Sequence, residues 1–349
     1  MSIDLLGSFG SDNHSGVCPE LMQALSEANQ GAAYAYGGDP YTKRAKELFK
    51  KAFGKECEAF FVLNGTGANV SALRTILGRA HSILCADTAH IQTQETAAIY
   101  ALSGSKLLTI PSSNGKIGPE EIEKAFLKES YWGVHASIPK VVCISQSTEF
   151  GTIYTLEEIK QISAICKQYN LLLFVDGCRL ANAAESLGVP LESFGSSLGI
   201  DVMTFGGSKN GMMFGEAVLF FRQDLAEFFP FIQKQSLQLL SKMRYISAQF
   251  IPYLEKELWK RNANHSNKMA KRLEDELKKI PDVAFSQKRE SNQLFFSVPD
   301  HWVEELKKHF IFHVWDTKPT LRLITSFDTK EEEISAFVSH VKKLQGAHG

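Results

Sequence analysis

The chain has 349 residues, 44% hydrophobic and 22% charged, with a formal net charge of -1. That is room for two domains of ordinary size with sizeable cores, and a charge so near zero gives no reason to expect nucleic acid or an acidic membrane surface as a partner. No apolar run reaches the ~20 residues that span a bilayer, and no basic stretch followed by an apolar core marks a signal peptide at the start.

PELMQALSEANQ is predicted helical from its three- and four-residue apolar spacing, with Pro19 at its start. TKRAKELFKKAFG is a second helix, ending at Gly54. EAFFVLNGTGANVSALRTILGR reads as a strand, a glycine turn and a helix. SILCAD is a strand, HIQTQETAAIYAL a helix, KLLTIP a strand, PEEIEKAFLKE a helix and PKVVCISQST a strand. TLEEIKQISAICKQYN opens at a capping box, Thr155 with Glu158 three residues on. LLLFVDG and DVMTF are buried strands.

A long helical region, LAEFFPFIQKQSLQLLSKMRYISAQFIPYLEKELW, follows. Then come helix KMAKRLEDELKKI, strand NQLFFSV, helix WVEELKKHF, strands IFHVWD and TLRLITSF, and helix EEEISAFVSHVKKL. The first part alternates strands and helices, which implies a mostly parallel sheet covered on both faces. The last hundred residues or so form an α+β unit. The expected division is a large domain at 1–248 and a smaller one at 249–349.

Ligands of such sheets collect at the carboxyl ends of the strands. The polar residues just past predicted strand ends are Asn64 to Gly67, Asp87 to His90, Gln146 to Glu149, Asp176 to Arg179 and Gly206 to Asn210. Lys209, in GGSKNG, is a loop lysine or a Schiff-base nucleophile. Asp176 ends an apolar strand, where it closes a turn or pairs with a protonated pyridine nitrogen. Gly65 and Thr66 open a helix and offer N–H groups for a phosphate, though no P-loop ending follows. His90 is a solvated or core histidine, or an acid or base lying against a ring. The order phosphate turn, histidine, strand-end aspartate, lysine is the one that fold-type I pyridoxal phosphate chemistry requires. The six cysteines contain no CxxC pair and no metal-ligand cluster. They are expected to be buried, reduced thiols of a cytoplasmic protein without a metal site.

With these motifs together, the chain resembles the threonine aldolase family over essentially its whole length. The matching stretches are GSDNHSGVCPELMQAL, YGGDPYTKRAKELF, NGTGAN, the His90 segment, VDGCRLANA, GGSKNG and LRLITSF. SDN, SQSTEFGTIYTLEEI, SKNG and SKMRYISAQ look most like its phenylserine-aldolase branch, with Asn210 where the usual members have glycine.

The resemblance implies an α/β fold-type I enzyme, aspartate aminotransferase-like, with a mostly parallel mixed sheet sandwiched by helices and a smaller α+β C-terminal domain. It implies pyridoxal 5'-phosphate as cofactor and retro-aldol cleavage of threonine, allo-threonine or phenylserine to glycine and an aldehyde. Lys209 resembles the Schiff-base lysine, Asp176 the partner of the pyridine nitrogen, and His90 the stacked histidine and a candidate base. Arg179 resembles the residue beside the ring's 3-oxygen, within reach of the substrate. Gly65, Thr66 and Ser208 resemble phosphate ligands. Ser11 and Arg322 resemble the groups that hold the substrate carboxylate. A homodimer or homotetramer with sites at the interface is implied, with Tyr36 and Arg244 reaching a neighbouring site.

Three alternatives stay open: β-elimination or transamination on the same scaffold, or a non-catalytic α/β ligand-binding protein. A dinucleotide-binding dehydrogenase is disfavoured because no GxGxxG opens the first βα turn.

Overall fold

The computed structural model describes residues 5–315 and 320–346. The ends of the two expected domains, 1–4 and 347–349, and Asp316 of the expected strand IFHVWD lie outside them.

Strand β1 (Gly7–Ser8) precedes helices α1 (Pro19–Ala28) and α2 (Pro40–Phe53). Both helices carry proline at their first position, where no N–H is needed. Asp39 caps α2 by accepting the Thr42 N–H at 2.7 Å. There follow β2 (Glu58–Val62), α3 (Gly65–Ile76), β3 (His81–Ala86), α4 (His90–Thr93), α5 (Ala98–Ser103), β4 (Lys106–Ile110) and α6 (Pro119–Ser130). Next are β5 (Ile138–Ser145), α7 (Leu156–Gln168), β6 (Leu172–Asp176), α8 (Leu180–Leu187), β7 (Val202–Gly206) and β8 (Glu216–Phe220). The capping box of α7 forms in both directions, Thr155 Oγ1 accepting from Glu158 and the Glu158 carboxylate accepting from Thr155 N–H.

The chain continues through α9 (Phe229–Gln235), α10 (Arg244–Glu255), α11 (Leu258–Leu277), β9 (Ala284–Phe285), β10 (Gln293–Ser297) and α12 (Asp300–Lys307). It closes with β11 (Phe310–Ile311), β12 (His313–Val314), β13 (Thr320–Ile324) and α13 (Glu331–Gly346).

Among the described residues, a seven-stranded sheet has the order β2-β8-β7-β6-β5-β3-β4. It is parallel except for β8, which runs against both neighbours. Residues alternate between its two covered faces: Leu173 and Val175 join one core cluster, Leu172 and Phe174 another. A third core lies under the antiparallel sheet β12-β13-β10-β9 and α13. α11 spans two cores, with Leu258, Trp259 and Ala263 in the first cluster and Met269, Leu273 and Leu277 in the third. The core therefore changes within α11, whereas residue 249 lies inside α10 among large-sheet contacts such as Phe250. Phe9 also belongs to the third core, and β1 pairs with β11.

Three of the predicted elements differ from the sequence reading. HIQTQETAAIYAL is two helices, because Thr96 (φ 51°) and Ala97 (φ 55°) are left-handed and turn Glu95 inward. The long helical region is interrupted at Leu237 (φ 61°) and Glu257 (φ 50°). IFHVWD splits into two-residue strands that pair with different partners, β11 with β1 and β12 with β13. No described helix is long and apolar enough to cross a membrane.

Candidate active site

The carboxyl ends of β2, β3, β6 and β7 face one edge of the large sheet and lead to Gly65, His90, Asp176 and Lys209. Two glycines bring the last two strand ends together. A Cβ on Gly177 would lie 2.0 Å from the Thr204 carbonyl, and one on Gly206 would lie 2.3 Å from the Cys178 carbonyl. Gly206 N–H donates to Gly177 O at 3.1 Å, and Gly177 N–H to Thr204 Oγ1 at 3.0 Å. The turn of GGSKNG thus needs glycine for close backbone approach. Gly206 lies in the extended strand β7 and Gly207 has φ -115°, while the positive φ (101°) falls at Gly211.

Asp176 is buried and its Oδ2 accepts from Asn69 Nδ2 at 2.9 Å. Its Oδ1 accepts from Cys178 N–H at 3.1 Å. Burial pushes this carboxyl up, but His90, Lys209 and the two donors outweigh it and hold Asp176 below its ordinary value. Asn69 Nδ2 also donates to Glu95 Oε1 at 2.9 Å, which lies 2.8 Å from His90 Nδ1. The chain His90–Glu95–Asn69–Asp176 fixes the imidazole at one nitrogen and leaves Nε2 for the cleft. Burial lowers the His90 proton affinity, while Glu95, Glu149 and Asp176 raise it, and the net effect is upward. Glu95 is itself pushed up, by burial first and then by Asp176.

Lys209 is half-buried, and its ammonium makes no hydrogen bond or ion pair among the described residues. Burial and Arg179 push it down, but Cys178, Asp12 and Glu149 leave it above its ordinary value. Beneath its loop, Gly207 N–H donates to Glu216 Oε2 at 3.1 Å, and Ser208 and Lys209 favour the charged form of the same carboxylate. Burial pushes Glu216 up to about 7. Asn210 points into the core, donating to Tyr253 Oη at 2.7 Å and to Trp259 O at 2.8 Å.

Arg179 grips Asp12 with two donors, and both residues are buried. Its Nη1 has no acceptor among the described residues. Burial raises the Asp12 carboxyl, but Arg179, Lys209 and Asn292 bring it below its ordinary value. Ser11 starts the short turn Asp12–His14, and its hydroxyl accepts from Asn13 N–H at 3.1 Å. Arg322, on β13, has its guanidinium 4.5 Å from the Trp315 ring centroid, with Nε buried and unpartnered. Burial and the nearby Arg179 lower Arg322 to about 10. Tyr36 and Arg244 are elsewhere: Tyr36 lies under the Lys234 ammonium at 4.6 Å, and Arg244 donates to Gly31 O at 2.9 Å. Within one chain neither contacts Lys209, Asp176 or Arg322.

At the start of α3, Asn64 Oδ1 takes the Gly67 N–H at 2.7 Å, while the N–H groups of Gly65 and Thr66 have no acceptor among the described residues. These donors, an unpaired lysine amine and a buried carboxylate held in its charged form together suit a carbonyl cofactor with a ring nitrogen and an anionic tail. The sequence reading assigned no role to Asp12, Asn69, Glu95, Glu149 or Glu216. Glu149 carried a signal, standing just past a strand end, and Asp12 lay within the matched SDN. Asn69, Glu95 and Glu216 carried none, because only the fold brings them to the site.

Residues 8–300 match the family described as Beta-eliminating lyase. The chain is 39% identical to the low specificity L-threonine aldolase of Pseudomonas aeruginosa, over 97% of this chain and 98% of that one. It is 41% identical to the corresponding Pseudomonas sp. protein over the same shares. The solved threonine aldolase of Leishmania major superposes with a TM-score of 0.92 at 32% identity, over 97% of this chain and 99% of that one. Its large mixed sheet flanked by helices is the fold-type I architecture, and the chain belongs to the β-eliminating lyase family, among the threonine aldolases.

Proposed function

We propose that the protein cleaves β-hydroxy-α-amino acids of the threonine and phenylserine type between Cα and Cβ, releasing glycine and an aldehyde, with pyridoxal 5'-phosphate as cofactor. The observation that carries this is one edge where an unpaired lysine, a buried ionised aspartate and an acid-free arginine converge. When bound, the cofactor supplies the electron sink for the bond-breaking step.

The chain's residues do the rest. Lys209 would hold the cofactor carbonyl through its amine, and Asp176 would keep a proton on the ring nitrogen. The Gly65 and Thr66 N–H groups would hold its phosphate at the positive end of α3. His90, fixed by Glu95, would stand beside the cofactor ring. Arg322, with Ser11 and the free Nη1 of Arg179, takes the substrate carboxylate. An arginine fork suits that task, and Trp315 sets its plane. The substrate is thereby oriented for cleavage.

Exposed Tyr34 (84%) and Tyr36, with exposed Leu237 (86%) bonded to the Lys234 that covers the Tyr36 ring, support a homodimer through this face. The free cysteines support a reducing, cytoplasmic setting.

A product assay tests the reading. Threonine should yield glycine and an aldehyde, and pyruvate with ammonia would assign β-elimination instead. Lys209→Ala should lose the visible absorbance of the bound cofactor. A mutant that keeps colour and turnover would sink the assignment.

A further inference from the structure

The turn after β5 brings one more acid to the strand-end edge and holds it there firmly. Gln146 N–H donates to Asp176 O at 2.8 Å, and its side-chain amide bonds Tyr154 in both directions, at 2.8 and 3.0 Å. Thr148 N–H donates to Thr152 O at 2.9 Å. Phe150 packs edge-on against Phe295 and Trp315, with centroids 5.4 and 6.0 Å away. Glu149 sits between these anchors and is only 7% exposed. Even so, it makes no hydrogen bond or ion pair among the described residues.

Neither Glu149 oxygen is among the buried atoms left without a partner, so the carboxylate of this largely covered side chain is open to a donor from a ligand. The groups around Glu149 are the site itself: its charge acts on His90, Arg179, Lys209 and Arg322 at once. Arg179 commits Nε and Nη2 to Asp12, and His90 commits Nδ1 to Glu95. The acids Asp12 and Asp176 both have donors already. Among the described residues, Glu149 is the acid of this group left without a donor. A β-hydroxy amino acid brings a carboxylate for the arginines and one O–H donor that a simple amino acid lacks.

We propose that Glu149 accepts the substrate's β-hydroxyl hydrogen and takes its proton as the Cα–Cβ bond breaks. The proton passes from the hydroxyl oxygen to a Glu149 Oε. The O–H electron pair becomes the second bond of the aldehyde C=O, and the Cα–Cβ pair stays with the Cα fragment. One proton is then delivered to Cα to give glycine, so the reaction takes up none overall. This assignment rests on the aldolase reading above.

The test uses Glu149→Gln in the holoenzyme, with Glu149→Asp beside it. The Gln variant should lose roughly a hundredfold to ten-thousandfold in kcat for cleavage, the usual worth of a general base. The Asp variant should fall between it and the wild type. Glycine has no β-hydroxyl, so its dissociation constant, read by calorimetry, should shift less than about threefold. In the cofactor-free chain, NMR titration of labelled His90 should move to lower pH in the Gln variant. A Gln variant that matches wild-type kcat, a glycine affinity lost in step with kcat, or an unmoved His90 titration would each overturn the proposal. A wild-type enzyme that releases no aldehyde overturns the aldolase reading and this one together. A wild type that releases it, with an equally fast Gln variant, overturns only the role of Glu149.

Discussion

Arg179 and Asp12, 167 residues apart, meet in a buried two-pronged ion pair, Nε to Oδ2 at 2.7 Å and Nη2 to Oδ1 at 3.0 Å. Removing one partner of such a pair leaves the other charge uncompensated, which costs about 3–5 kcal/mol. Asp12→Ala should therefore lower stability by that order in chemical denaturation, and Asp12→Asn by less. Asp12 titrates below its ordinary 3.8 in the fold. Its contribution is complete above that value and is lost as pH falls from there through the folded value. The Ala variant should show a shallower acid limb than the wild type.

Glu216 has the opposite sign. Its ordinary value is 4.5 and burial lifts it to about 7. Between these two values the folded state keeps a proton that the unfolded state has lost, so stability falls as pH rises through that window. The full loss is on the order of 3 kcal/mol. Glu216→Gln keeps an acceptor for Gly207 and Ser208 and should flatten the pH dependence of the unfolding free energy across the window. An unchanged slope would remove Glu216 from the account.

Glu95→Gln leaves an acceptor for Asn69 while removing the charge beside His90. The His90 titration should move down in NMR, and cleavage should slow on the order of tenfold or more. A slower enzyme with unmoved His90 would mean that Glu95 acts through packing alone.

Arg322→Lys replaces a planar fork stacked on Trp315 with a point charge. A charge-assisted hydrogen bond is worth about 1.5–3 kcal/mol, so KM for the amino acid should rise roughly tenfold to a hundredfold, with kcat affected less. Steady-state kinetics on threonine and phenylserine check this, and an unchanged KM would place the carboxylate elsewhere.

The positions of His90, Asp176 and Lys209 near strand ends are legible in the sequence because each follows a short, mostly apolar run. The break after His90 is not. The apolar spacing of HIQTQETAAIYAL runs on through Thr96 and Ala97, whose left-handed backbone leaves no mark on periodicity. β8 escapes the sequence reading too, as five apolar-leaning residues between a glycine-rich loop and a charged stretch. With it goes Glu216, whose closeness to Lys209 depends on that strand reversing direction. Asn69 hides differently: it sits inside α3, and only the superposition of α3 on β6 aims its amide at Asp176.

The first described residues are a strap sewn at both ends. β1 lies along β11, and Phe9 O accepts the Ile324 N–H at 2.8 Å beside Arg322. Three residues after Phe9, Asp12 is locked to Arg179 beside β6. Any swing of the four-stranded sheet away from the large one must pull this strap and draw a buried charge off its partner. The strap therefore couples the position of the four-stranded sheet, and of Arg322 on it, to the ion pair beside β6.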